Sequence, residues 1–197
     1  MKFGGTSVAD IDRIRAVRDI ICDEVKDGWN VVAVVSAMSK ETNKLIDLAK
    51  QVGVESLVDP EYDSLISTGE DVSSSLLAIA LNSIAISSRS WRGWQLPIRT
   101  DSFHSNAKIE EIKTNQIINS FKEGVKVAVV SGFQGIEQAG RITTLGRGGS
   151  DTSAVAIAAA IDAERCDIYT DVSGIYTTDP RIKRNASKLK KISFEEM

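Results

Sequence analysis

Apolar residues recur every three or four positions through Val8, Ile11, Ile14, Val17, Ile21 and Val25 and stop at Gly28. That spacing sets them on one face of a helix, and Ser7, with Asp10 three residues on, is its expected N-cap. Val31–Val35 follows as an unbroken Val-rich run closed by Ser36, the pattern of a strand buried on both faces in a parallel sheet. Helical periodicity returns at 42–52 and 70–84, short strands are expected at 86–91 and 97–99, and a helix near 114–121. Strand 125–130, a helix opening at Ser150, strand 166–170 and a turn at Asp179-Pro180 complete the order. Strands alternating with helices long enough to be crossovers predict an α/β fold: an open, mostly parallel sheet sandwiched by helices. In such sheets ligands sit beyond the carboxyl ends of the strands, so the strand-to-helix turns are where chemistry is expected.

Composition narrows the classes. The chain has 197 residues, 42% of them hydrophobic, which suffices for one compact core or two small lobes. A net charge of −3 without a basic block argues against nucleic acid as a partner. No run approaches the ~20 apolar residues that cross a bilayer, and no charged-then-apolar leader opens the chain, so a soluble cytoplasmic protein is expected. Cys22, in a predicted helix, and Cys166, opening a predicted strand, read as buried reduced thiols; neither a disulfide nor a zinc site is implied.

Chemistry concentrates in the stretch TTLGRGGSDTSA, residues 143–154. Gly148 and Gly149 allow close backbone approach to a ligand, and Ser150 stands where an N-cap is expected ahead of an apolar helix. A helix starting there aims free N–H groups and its positive dipole end at an anion. At the other end, Lys2 precedes Gly4-Gly5 and a helix, an arrangement in which phosphates lie on glycine amides beside a counter-charge. No GKS, GKT or GxGxxG occurs, so this is neither a P-loop nor a dinucleotide fingerprint. His104, the single histidine, lies among Ser102, Ser105 and Asn106 and reads as a hydrogen-bonding residue rather than a catalytic one.

Together KFGGTSV, VVSAMSKETN, STGEDVSSSLLAIAL, SGFQG, TTLGRGGSDTSA and YTDVSGIYTTDPR resemble, in order and spacing, the catalytic domain of the aspartate kinases in the amino-acid kinase superfamily. The resemblance spans nearly the whole chain and implies transfer of the ATP γ-phosphoryl group to the side-chain carboxylate of L-aspartate, a first step toward lysine, threonine and methionine. It implies Lys2 at the transferred phosphoryl, Gly4 and Gly5 on the phosphates, and Asp151 orienting Lys2. Arg147 would grip a substrate carboxylate, Ser150 and Thr42 add hydrogen bonds, Glu70 takes the substrate ammonium, and Phe133 shapes the pocket. Thr170, Asp171, Tyr176 and Arg181 would serve the nucleotide. ATP would arrive with Mg²⁺ held mainly through its phosphates, with no dedicated metal cage in the protein. A carboxylate nucleophile is ionised at neutral pH and needs no general base.

The resemblance also sets expectations about extent. Residues 1–197 correspond to an amino-acid kinase domain shortened at its C-terminal end, with 1–124 as a substrate-side lobe, 125–197 as a nucleotide-side lobe, and no regulatory domains. Ser173 replaces an acidic residue common at its turn in the family. Relatives are dimers or larger, so a homo-oligomer is open. Two alternatives stand beside the aspartate reading: a catalytically impaired remnant that binds nucleotide or a partner subunit, and a kinase for another small acidic amino acid.

Overall fold

The computed structural model describes residues 1–53, 58–171, 183 and 185–187. Strand β1 (Lys2–Phe3) leads into helix α1 (Ile11–Lys26), β2 (Val31–Val35) and three helices, α2 (Glu41–Val52), α3 (Pro60–Ile66) and α4 (Thr68–Asn82). Strands β3 (Ser88–Trp91), β4 (Ile98–Thr100) and β5 (Ile109–Ile112) precede α5 (Asn115–Lys122) and β6 (Val127–Ser131). Strands β7 (Gln134–Ile136) and β8 (Ile142–Thr144), helix α6 (Gly149–Ala160) and β9 (Ile168–Tyr169) follow.

The central sheet runs β3-β6-β2-β1-β9, with every neighbouring pair parallel. Because side chains alternate along a strand, the unbroken apolar runs of β2 and β6 feed two cores. On one face Phe3, Ala33, Val35, Val127 and Val129 pack with Ile14, Val17 and Ile21 of α1 and Leu77 and Leu81 of α4. On the other, Val34, Ala128 and Val130 pack with Trp91, Ile98, Ile117 of α5, and Ala154 and Ile157 of α6. The expected helix-covered parallel sheet is therefore present. All its carboxyl ends reach one rim, at Gly4, Ser36, Arg92, Gly132 and Thr170.

Three details depart from the sequence expectations. Asp10, not Ser7, caps α1: its side chain accepts from the Arg13 N–H at 2.8 Å. Ser7 lies in a turn, its N–H donating to the Gly4 carbonyl at 2.9 Å, which delays helix entry by three residues. Likewise Gly148, left-handed at φ 76°, occupies the cap of α6, and Ser150 is the second helical residue; the backbone conformation there suits a glycine. Cys166 is exposed and precedes β9, because that strand is only two residues long; Cys22 is half-buried, and both thiols are free.

A second, mixed sheet of order β5-β4-β7-β8 was not anticipated. Three of its strands have three residues, too short for an alternating pattern to declare itself. Helix α3 was missed as well, although Asp59 capping Glu61 N at 2.7 Å and Pro60 in the first turn are recognisable start signals. It packs with α2 in a small third cluster of Ala49, Tyr62 and Ile66, joined by Phe133. The turn expected at Asp179-Pro180 lies outside the described residues. Among the described residues no helix is long and apolar enough to cross a membrane.

Candidate active site

At the carboxyl rim of the central sheet lies an open cleft of about 490 Å³. Its floor is the β1 exit, with Lys2, Gly4 and Gly5; one wall is the β2–α2 connection, with Thr42, backed by Glu70 of α4. Phe133, Arg147, Ser150 and Asp151 form the opposite wall, and Thr170 and Asp171 close the far end at the β9 exit. Eleven of the residues singled out in the sequence thus border one cavity, while Tyr176 and Arg181 lie outside the described residues. A second hollow of about 360 Å³, at the opposite rim around Met1, Trp29 and Arg165, holds none of them.

Lys2 is buried to 7% exposure in β1, and its Nζ stands 2.7 Å from Asp151 Oδ1. Parallel pairing of β1 between β2 and β9 brings the strand's end to the N-terminus of α6, so the ammonium, the Asp151 carboxylate and the positive end of the helix dipole share one place. A β-carbon on Gly4 would stand 3.4 Å from Lys2 Nζ, in van der Waals contact with the ammonium. Arg147 is exposed and has no ion-pair partner among the described residues. Thr170 Oγ1 reaches Asp171 Oδ1 at 3.4 Å, both exposed.

Glu70 is the electrostatic anomaly. It is 3% exposed; Oε1 accepts from the Ala37 N–H at 3.0 Å, whereas Oε2 is buried without a partner. Burial pushes its pKa from 4.5 up to about 8, opposed by the Ala37 and Glu70 N–H groups, and the neighbouring Asp71 carboxylate adds to the rise. Asp71 itself is neutralised by Arg92 (Nε at 3.2 Å) and accepts from Ser131 Oγ and Gln134 Nε2. A desolvated carboxylate with one idle oxygen, facing a cleft, is arranged to receive a cationic donor.

Phe133 adopts a left-handed backbone, φ 68°, held from both sides: its N–H donates to Ser153 Oγ at 3.1 Å and its carbonyl accepts from Leu145 N at 2.9 Å. A strained conformation survives only where its surroundings impose it. Sequence reasoning passed over Lys40, which lines the cleft as an exposed left-handed residue at φ 68°, and Asn43 beside it. The block VVSAMSKETN pointed to this wall, but periodicity carries no sign of backbone strain.

The whole chain, residues 1–197, matches the amino acid kinase family, and the protein belongs to that family. Along its full length it is 53% identical to an aspartokinase of a Bacillus species (strain MGA3) and 52% identical to that of Geobacillus stearothermophilus. It spans about half the length of these curated relatives, 47% and 48% respectively. Among solved structures, aspartate kinase from Synechocystis superposes with a TM-score of 0.78 at 46% identity, over 94% of this chain and 30% of that one. E. coli aspartokinase III in complex with aspartate and ADP gives 0.81 at 29% identity, over 95% of this chain and 52% of that one. Over the part that aligns, the fold and the sequence are similar to those of aspartokinases.

Proposed function

We propose that this chain carries the catalytic centre of an ATP-dependent kinase that phosphorylates the side-chain carboxylate of L-aspartate, in the cytoplasm, with ATP entering as its magnesium complex. The observation that carries the reading is the convergence of Lys2, Glu70, Arg147 and Asp151 on one cleft at the sheet's carboxyl rim. Two cations, the Asp151 carboxylate and the Glu70 carboxyl group, which an incoming ammonium would favour in its ionised form, match a zwitterionic amino acid beside a phosphate chain. An aspartokinase of the same fold was solved with aspartate and ADP.

In this reading Glu70 Oε2 accepts the substrate ammonium, Arg147 forks onto the α-carboxylate, and Thr42 and Ser150 add hydrogen bonds around it. Phe133 sets the pocket wall. The substrate's β-carboxylate oxygen attacks the γ-phosphorus; the new O–P bond forms as the bond to the β-phosphate oxygen breaks, and ADP departs with that electron pair. No proton moves, so no general base is required. Lys2, oriented by Asp151, neutralises charge on the transferring group, and the amides of Gly4 and Gly5 receive phosphate oxygens. Thr170 and Asp171, with Tyr176 and Arg181, serve the nucleotide.

Incubation with Mg-ATP, L-aspartate and hydroxylamine tests this, since an acyl phosphate is trapped as the hydroxamate. Aspartate-dependent hydroxamate is expected. A stronger signal with another small acid would reassign the acceptor, and ATP binding without any hydroxamate would identify an impaired enzyme.

A further inference from the structure

Behind the cleft wall, Asp63 of α3 is fully buried and has no part in the chemistry just described. Five donors converge on its carboxylate. They are His104 Nδ1 at 2.9 Å, the Ser105 N–H at 2.9 Å, Ser105 Oγ at 3.2 Å, the Thr144 N–H at 2.9 Å and Thr144 Oγ1 at 2.7 Å. A carboxylate with this company only accepts, so Nδ1 is the protonated ring nitrogen of His104. An isolated charge buried this deeply would be strongly unfavourable; the five bonds offset its desolvation and tie three distant segments to one point.

Two of those segments form the root of the turn that bears Arg147. Thr144 ends β8, and Leu145 and Gly146 follow directly. The 101–107 loop clasps this root: the Ala107 N–H donates to the Thr144 carbonyl at 2.9 Å. Gly146 (φ 73°) packs so tightly on the loop that a β-carbon there would lie 2.8 Å from Asn106 Oδ1 and 3.2 Å from the Ser105 carbonyl. Ser105 is itself left-handed, φ 65°. A left-handed serine bonded to Asp63 and packed against Gly146, where no β-carbon would fit, indicates a turn held in place by its supports rather than by its own preference.

We infer that Asp63, with His104 as its buried donor, is the positioning residue that sets Arg147 over the cleft and thereby governs affinity for the carboxylate-bearing substrate but not for the nucleotide. The inference rests on the proposed function only for which carboxylate Arg147 grips. Asp63→Asn would set an amide N–H against five donors and is a poor probe, so the donors are removed singly. His104→Ala and Thr144→Val are each expected to raise KM for L-aspartate about tenfold while KM for ATP stays within about twofold, as for a misplaced positioning group. His104→Asn, whose amide can stand in for the Nδ1–H, is expected to restore KM.

Amide hydrogen exchange supplies a readout independent of the acceptor. In the ligand-free full chain, peptides covering 145–149 are expected to exchange roughly tenfold faster in His104→Ala and Thr144→Val, but not in His104→Asn, while those covering Gly4 and Gly5 are unchanged. Unaltered exchange at 145–149 in both variants would overturn the inference even if their melting temperatures fell. An equal rise in both KM values would overturn it as well. If the parent chain shows no aspartate-dependent turnover, the proposed function fails and the exchange experiment still decides the role of Asp63.

Discussion

Glu70 shows most directly how burial becomes chemistry. In the free protein it stays protonated up to about pH 8, whereas in the unfolded chain it ionises near its ordinary 4.5. Between those values the native state holds the extra proton, so this group's contribution to stability falls as pH rises through that window. Glu70→Gln is therefore expected to raise the melting temperature relative to the parent at pH 8–9 and to abolish amino-acid binding; a variant that melts lower there contradicts the burial argument. Because a substrate ammonium needs the ionised form, KM for aspartate should fall as pH rises toward 8, by up to about tenfold per unit; a flat profile from pH 6 to 8 would remove Glu70 from the binding site. Lys2→Ala should cut turnover by about a hundredfold or more with ATP still bound, and Arg147→Ala should raise KM for aspartate by roughly ten- to a hundredfold. Lys2, Arg147 and Asp151 were legible in the sequence because cations and carboxylates beside glycine-rich turns announce themselves. Glu70 was legible only through the family resemblance, since an acid in the first turn of a helix is ordinarily solvated. That it is buried follows from α4 packing against the β2 exit, where the Ala37 N–H meets it.

Elements were legible in proportion to their length. The 3.6-residue period of α1 and the Val-rich runs of β2 and β6 extend far enough to be recognised, whereas α3 and the three-residue strands of the second sheet do not. Element boundaries followed another rule. Ser7 and Asp10 are both competent N-caps, and the choice between them was made by the turn over residues 4–8, in which the Ser7 and Val8 N–H groups are already bonded to the Gly4 carbonyl. Asp10→Ala should accordingly cost about 1 kcal/mol, and Ser7→Ala less than about 0.5 kcal/mol, in chemical denaturation; the reverse order would restore Ser7 as the cap. At α6 a left-handed Gly148 displaced the expected Ser150 cap, leaving Ser150 inside the first turn and facing the cleft.

At the scale of the molecule, two cores on opposite faces of the parallel sheet share its strands, so they are expected to unfold together. Leu77→Ala on one side and Ile98→Ala on the other should each destabilise by about 2–5 kcal/mol within a single transition; two resolved transitions in either variant would show that the faces are independent. Alternation of strands with crossover helices, the motif blocks and their order are properties of neighbouring residues. The sequence alone therefore determined the α/β class, the rim at which the singled-out residues gather and the family to which the chain belongs. Tertiary structure decided what depends on residues far apart. It set Lys2 2.7 Å from Asp151, left one oxygen of Glu70 buried and unpartnered, and gathered His104, Ser105 and Thr144 around Asp63. The physical reason is that burial and hydrogen-bond partners are fixed by strand order and by which surfaces meet, and local periodicity encodes neither.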